Sequence, residues 1–159
     1  MSSADQGPPS RSEIEAAAER IASVVRRTPV FTAPGGGDAP TIHLKLEMLQ
    51  HSGSFKARGA GNALLAAPVP EAGIVAASGG NHGAAIAWAC RRLGHRATIF
   101  VPTISAEAKV ERLRAYGADV RVEGAVYAEA LAASAEFQAA TGARSVHAYD
   151  DRLVMAGAG

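Results

Sequence analysis

Two short segments of this sequence place chemically useful residues at the start of a predicted helix. They read SFKARGA at residues 54–60 and ASGGNHG at residues 77–83. In the first, Lys56 and Arg58 fall in the first helical turn, where the helix dipole disfavours cations unless an anion or a changed charge state compensates. One interpretation is a surface lysine tolerated at a cost of about 0.3–1 kcal/mol. The other is a nucleophilic lysine, because a desolvated amine near other cations loses its proton more readily and can form an imine with an aldehyde.

The glycine-rich segment, residues 77–83, joins a predicted buried strand to a predicted helix. Such turns direct backbone N–H groups and a helix N-terminus at one point, which suits a carboxylate or a phosphate. The carboxyl end of a parallel strand is also where open α/β sheets bind ligands. A tight turn without a ligand remains the alternative. A dinucleotide site is not predicted, since the glycine spacing differs from G-x-G-x-x-G and the strand at residues 97–101 ends without an acid.

Most other candidate side chains are predicted to be structural. Cys90 lies on an apolar helix face, which indicates a small buried hydrophobic residue and not a nucleophile. For His82 an orienting or backbone role is favoured over that of a base. Asp150 and Asp151 are expected to cap an element, since adjacent residues usually face apart. No metal site is predicted, because metal-ligand spacing is missing among His43, His51, His95 and His147.

The elements that must position these groups follow an α/β pattern. A first helix is predicted from a capping box at Ser12 and Glu15, a half-buried strand at residues 42–46, and a helix at 55–65 with Ser54 as its N-cap. Strands and helices then alternate, at residues 73–77, 81–93, 97–101, 105–116, 119–122, 126–141 and 145–147. This alternation indicates right-handed βαβ units and a parallel sheet covered on both faces.

Composition limits the classes of protein that fit. The 159 residues are 48% hydrophobic, with 16 Lys and Arg against 15 Asp and Glu, which is typical of one soluble domain or of one small domain plus part of a second. A net charge of +1 gives no reason to expect nucleic acid or a membrane surface as a partner. No apolar run is long enough for a membrane span or a signal peptide, so a cytoplasmic location is expected. One cysteine excludes disulfide scaffolds and multi-thiolate zinc sites.

Taken together, the motifs resemble those of the fold-type II pyridoxal-phosphate enzymes, and specifically the threonine/serine dehydratase and serine racemase family. Two ordered motifs at matching separation carry the resemblance, which extends over nearly the whole chain from about Glu13. The matching segments are RTP at 27–29, KLE at 45–47, Gln50, SGSFKARGA at 52–60, SGGNHG at 78–83, AYGA at 115–118 and HAYDD at 147–151.

The resemblance implies a role for each matching residue. Lys56 would form the Schiff base with pyridoxal 5'-phosphate and later move protons at the substrate, and Phe55 would pack beside the cofactor. Asn81 would hydrogen-bond the ring hydroxyl of the cofactor. The substrate carboxylate would be held by Ser78, Gly79, Asn81 and His82. The implied reaction is the conversion of threonine or serine, a small amino-acid substrate, to a 2-oxo acid and ammonia.

Two departures from the family pattern affect this prediction. Racemases of the family carry a serine where this chain has Gly79, so dehydration is favoured over racemisation. The family's phosphate loop, the partner of the pyridine nitrogen and the cation site lie in a later part of the pattern, so we expect the chain to be truncated and inactive or crippled alone. Serine racemase, a related hydroxy-amino-acid lyase and a non-catalytic ligand-binding fragment remain alternatives.

The predicted architecture is a parallel sheet flanked by helices, like the tryptophan synthase β-subunit, incomplete at its C-terminus. Residues 1–12 are expected to be a flexible leader and residues 13–61 the N-terminal part of a large cofactor domain. Residues 62–148 would be a small α/β domain, and residues 149–159 the start of the return to the large domain. Apolar core residues of the incomplete large domain would be exposed, and we therefore expect a homo-oligomer.

Overall fold

Helices and strands alternate along most of the chain in the computed structural model, which describes residues 7–37 and 39–159. The helices are α1 (Arg11–Ile21), α2 (Lys56–Ala66), α3 (Asn81–Leu93), α4 (Glu107–Ala115), α5 (Tyr127–Thr141) and α6 (Arg152–Ala158). The strands are β1 (Val30–Ala33), β2 (Ile42–Lys45), β3 (Ile74–Ala77), β4 (Ala97–Val101), β5 (Asp119–Val122) and β6 (Arg144–Ser145).

A four-stranded parallel sheet in the order β5-β4-β3-β6 forms the centre of the fold, as predicted. Its two central strands are apolar and buried, which is what a sheet covered on both faces requires. On one face, Val75 and Phe100 pack with Ala130 and Phe137 of α5. The larger cluster on the other face brings together side chains of α2, α3 and α4. The predicted fold class is therefore confirmed.

Glycines end two of the helices where the sequence predicts. Gly94 and Gly142 follow α3 and α5 in the left-handed conformation, with φ of 77° and 74°. A residue with a side chain adopts this conformation at a cost, whereas glycine does not.

The start of α1 differs from the prediction. The capping box is formed by Ser10 and Glu13, not by Ser12 and Glu15. The Ser10 hydroxyl accepts from the Glu13 N–H, while the Glu13 carboxylate accepts from the Ser10 N–H at 2.7 Å. The helix consequently begins earlier, and residues 11 and 12 are helical although the predicted leader includes them. Residues 1–6 of that leader lie outside the described residues.

Strands β1 and β2 form an antiparallel hairpin apart from the main sheet, and its exposure contradicts the prediction of a half-buried strand. Phe31 is paired with Leu44, and these side chains are 55% and 48% exposed. The alternation of polar and apolar residues in β2 is real. Neither face is buried, however, because none of the described elements packs over the hairpin. The division of the chain into domains at residues 62 and 148 stays a prediction.

Candidate active site

Lys56 is the first residue of α2, and its amine is held by a backbone carbonyl. Nζ donates to the carbonyl oxygen of Ala148 at 2.6 Å and lies 5.1 Å from the centre of the Phe55 ring. Ala148 follows the last strand of the sheet and is 92 residues away in the chain. The fold therefore brings the predicted nucleophile to the carboxyl edge of the sheet.

Arg58, the second cation of this helical turn, has a carboxylate partner. Its Nε and Nη2 donate to the two oxygens of Glu47 at 2.8 and 2.7 Å. The Thr28 hydroxyl also donates to Glu47, at 2.5 Å. These hydrogen bonds, chiefly those from Arg58, lower the pKa of Glu47 to about 2, against the opposing effect of burial. Arg58 is thus neutralised and ties α2 to the turn after β2.

Ser54 does not cap α2, contrary to the prediction. Phe55 is the N-cap residue and makes no side-chain capping bond. The Ser54 hydroxyl is instead buried, with no hydrogen-bond partner among the described residues. Ser54 is extended, as N-cap residues usually are, and it follows a turn in which Ser52 adopts φ 55°.

The glycine-rich turn connects β3 to α3 as predicted. The Ser78 N–H donates to the Phe100 carbonyl at 3.1 Å, and the Gly80 N–H donates to the Ser78 hydroxyl at 3.3 Å. A Cβ on Gly83 would overlap the Ser78 carbonyl oxygen, so this position has room only for glycine. Gly80 is the N-cap of α3 and provides no side-chain cap, which leaves first-turn N–H groups available to a ligand.

His82 lies in the first turn of α3, and its side chain is only 5% exposed. Its Nε2 is 2.9 Å from the carbonyl oxygen of Val146. A carbonyl only accepts, so Nε2 carries the hydrogen. Burial lowers the pKa of His82, helped by the nearby charge of Lys56. The imidazole is therefore neutral at pH 7, and its Nδ1 has no hydrogen-bond partner in the described part of the chain.

Residues 146–148 connect the two predicted motifs. Val146 binds His82, and Ala148 binds Lys56. Sequence reasoning missed both contacts because a backbone carbonyl leaves no signal in the residue type. The other predicted residues of the glycine-rich motif, Ser78, Gly79 and Asn81, share the turn with His82, and Asn81 is exposed at the start of α3.

The remaining candidates have the structural roles expected of them. Cys90 is buried, and desolvation raises the pKa of its thiol to about 12. Asp151 caps α6 by accepting from Leu153 and Val154. Within residues 7–37 and 39–159 no group of acidic, histidine or cysteine side chains is arranged to hold a metal ion. None of the helices described there is long and apolar enough to cross a membrane.

The described residues fit an aldehyde cofactor with polar groups. An amine on a neutral carbonyl is available for exchange, and Phe55 presents a ring beside it. The unpartnered Ser54 hydroxyl and His82 Nδ1 are buried polar atoms on the two motifs, and such atoms are uncommon in proteins without a ligand or water to satisfy them.

One family of known proteins matches most of the chain. Residues 21–159 match the family described as pyridoxal-phosphate dependent enzyme. Over 152 residues the chain is 39% identical to a catabolic L-threonine dehydratase of Staphylococcus aureus, covering 92% of this chain and 44% of that protein.

Solved structures show the same relationship. A threonine deaminase from T.th. superposes with a TM-score of 0.84 at 37% identity, over 94% of this chain and 48% of that one. Maize serine racemase superposes with a TM-score of 0.83 at 31% identity, over 92% of this chain and 46% of that one. The chain thus spans less than half the length of these relatives.

Proposed function

The chain belongs to the family of pyridoxal-phosphate dependent enzymes, and from this premise we propose that it carries the lysine-bearing portion of a threonine or serine dehydratase. The reaction releases a 2-oxo acid and ammonia. The observation that carries the proposal is the Lys56 amine, held at the carboxyl edge of the sheet by a neutral carbonyl at 2.6 Å. Similarity to proteins named L-threonine dehydratase and L-threonine ammonia-lyase supports the substrate class.

Three residues would hold pyridoxal phosphate. Lys56 provides the amine that binds its aldehyde, Phe55 packs against its ring, and Asn81 hydrogen-bonds its ring hydroxyl. When bound, the cofactor withdraws electron density from the α-carbon of an amino acid. Phe55 suits its role because its ring is 45% exposed beside the amine. Asn81 suits its role because it is exposed at the start of α3.

The chain's own groups then act on the substrate. The carboxylate is bound by the Ser78 hydroxyl and by backbone N–H groups of Gly79, Asn81 and His82, assisted by the positive end of the α3 dipole. The Lys56 amine accepts the α-proton and is the acid and base of the site. Removal of the α-hydrogen and the β-hydroxyl releases water, and hydrolysis of the carbon–nitrogen bond gives the 2-oxo acid and ammonia.

Racemisation is the second candidate function. Similarity to maize serine racemase and to an aspartate racemase, at 31% and 35% identity, favours it. Gly79 counts against it, since a racemase needs a second acid or base on the opposite side of the α-carbon and glycine offers none. A ligand-binding fragment without catalysis is the third candidate, which keeps the α3 N-terminus as an anion site and uses Lys56 only structurally.

We further propose that the protein acts in the cytoplasm as a homo-oligomer. Support for self-association comes from the exposed apolar side chains of the β1–β2 hairpin, among them the cross-strand pair Phe31 and Leu44.

The function is tested by incubating the chain with pyridoxal phosphate and L-threonine or L-serine. A dehydratase yields 2-oxo acid and ammonia in equal amounts, and Lys56→Ala abolishes both. Accumulation of the D-enantiomer would instead identify a racemase. Binding at Lys56 without either product is the result expected of the lysine-bearing portion alone, whereas a chain that does not bind the cofactor at Lys56 would contradict the proposal.

A further inference from the structure

The imidazole of His82 has a hydrogen-bonding arrangement that core packing does not explain. The side chain is only 5% exposed, yet it makes a single hydrogen bond and leaves Nδ1 unpartnered among the described residues. Burying a polar ring with one unsatisfied nitrogen costs free energy that an apolar side chain of similar size would avoid. What has to be explained is the function of the one hydrogen bond that the ring does make, from Nε2 to the Val146 carbonyl.

Val146 lies where the chain leaves the sheet. Its N–H makes a last hydrogen bond to the neighbouring strand, donating to the Val75 carbonyl at 3.3 Å. The Val146 carbonyl bonds to His82 and not to a strand. This is also why β6 ends at Ser145, earlier than the predicted residue 147. The imidazole thus fixes the direction in which the chain leaves the sheet.

A second anchor lies just beyond. Nδ1 of His147 accepts from the backbone N–H of Asp150 at 3.0 Å and from that of Tyr149 at 3.4 Å, which closes a turn. The His147 ring also packs edge-on against the Tyr149 ring, with their centres 4.7 Å apart. The Ala148 carbonyl lies between this turn and the His82 anchor, so both define its position.

We propose that His82 is a positioning residue for Lys56 and acts through residues 146–148. The imidazole holds the Val146 carbonyl, and the Ala148 carbonyl, two residues on, receives the Lys56 amine at 2.6 Å. The inference rests on the proposed function only for the catalytic role of Lys56. It assigns the His82 side chain to the protein's own backbone, while the His82 N–H remains available to a substrate carboxylate.

The test measures the reactivity of Lys56 without any cofactor. The chain contains three lysines, Lys45, Lys56 and Lys109, so reductive methylation with formaldehyde and cyanoborohydride gives a rate for each by peptide mapping. Lys109 is exposed on α4 and provides the reference rate within the same molecule. In His82→Leu we expect the Lys56 to Lys109 ratio to rise about fivefold, equal to about 1 kcal/mol of lost hydrogen bonding.

Conservative variants separate positioning from folding. His82→Gln places an amide N–H near the position of Nε2 and should keep the wild-type ratio. His82→Asn is one bond shorter and should raise the ratio. His95→Leu, at an exposed histidine beyond α3, is the matched control and should leave the ratio unchanged.

An unchanged ratio in a folded His82→Leu chain would overturn the inference. If His82→Leu unfolds, all three lysines approach one methylation rate. The comparison of His82→Gln with His82→Asn then decides whether His82 positions Lys56. Equal ratios in those two variants would overturn the inference as well. Since no cofactor is present, failure here is distinct from failure of the proposed function.

Discussion

Lys56 and Arg58 start the same helix, but their partners differ in charge. Arg58 is paired with the Glu47 carboxylate, whereas the Lys56 amine binds a neutral carbonyl. A salt bridge to a largely buried carboxylate fixes a guanidinium in a structural role. A carbonyl leaves the amine free to exchange partners. Two cations that look equivalent in the sequence thus differ in their partners: Arg58 is bound to a carboxylate, and Lys56, the proposed nucleophile, is bound to a neutral carbonyl.

The Glu47–Arg58 pair makes stability depend on pH. The pKa of Glu47 is about 2 in the folded chain, below its ordinary 4.5. The folded state therefore binds fewer protons, and the stabilisation is fully present above about pH 4.5 and lost as pH falls towards 2. We expect Glu47→Gln to lower the free energy of unfolding by about 2 kcal/mol at pH 7, with the difference shrinking towards pH 2. Urea denaturation across this range measures it.

Glu15→Gln is the matched control for that prediction. Glu15 pairs with Arg11 across one turn of α1, and its side chain is 60% exposed, against 18% for Glu47. An exposed pair contributes about 0.5 kcal/mol or less. Equal losses of stability in the two variants would show that burial of the Glu47 pair has no energetic effect.

Helices α2 and α6 cross at glycines, and this contact fixes the helix that carries Lys56. A Cβ on Gly59 would lie 2.6 Å from the Val154 carbonyl oxygen, and one on Gly157 would lie 2.5 Å from the Asn62 Cβ. Gly59→Ala should therefore lower the free energy of unfolding by about 1–3 kcal/mol, because the helices must move apart. Thermal or urea denaturation measures the loss.

Gly61→Ala, two residues along the same helix, provides the control. The nearest atom to a Cβ there is Cγ2 of Ile21 at 3.8 Å, an ordinary contact. Alanine favours helix over glycine, so this change should be neutral or stabilising by about 0.5–1 kcal/mol. Destabilisation of the same size at both positions would mean that helix propensity, and not close packing, decides.

Periodicity predicted the bounds of the helices and strands in the parallel sheet well, but it did not predict which strand faces are covered by other elements. The bounds of α3 and of β4 agree with the sequence because a buried apolar run ends at a glycine or a polar turn. Exposure of the β1–β2 hairpin was not predictable, since alternation shows that a strand has two faces but not whether another element covers one. The unpartnered hydroxyl of Ser54 was missed for a related reason: serine before a helix usually caps it.

At the scale of the whole molecule, the β1–β2 hairpin is notable for its exposed apolar side chains. Several of its apolar side chains, and those of the turn that follows, are about half exposed or more: Val30, Phe31, Ile42, Leu44, Met48 and Leu49. The curated relatives are more than twice as long as this chain. Burying the patch against a second copy would remove apolar surface from water at about 25 cal/mol per Å².

We therefore expect the chain to self-associate in a concentration-dependent way. Light scattering after size exclusion should give a mass above 16.2 kDa that falls towards the monomer in Phe31→Ser/Leu44→Ser. Ile104→Ser changes a residue that is 80% exposed and lies between β4 and α4, outside the hairpin, and should leave the mass unchanged. A wild-type chain that stays monomeric at all concentrations would contradict this account.

Among the three lysines, Lys56 is the proposed site of pyridoxal-phosphate binding. The most direct measurement is a titration of the chain with pyridoxal phosphate, followed by borohydride reduction and peptide mapping over the three lysines. Saturable labelling at Lys56, well above that at Lys45 and Lys109 and lost in Lys56→Arg, is the predicted result. Equal, unsaturable labelling of all three lysines would contradict the account.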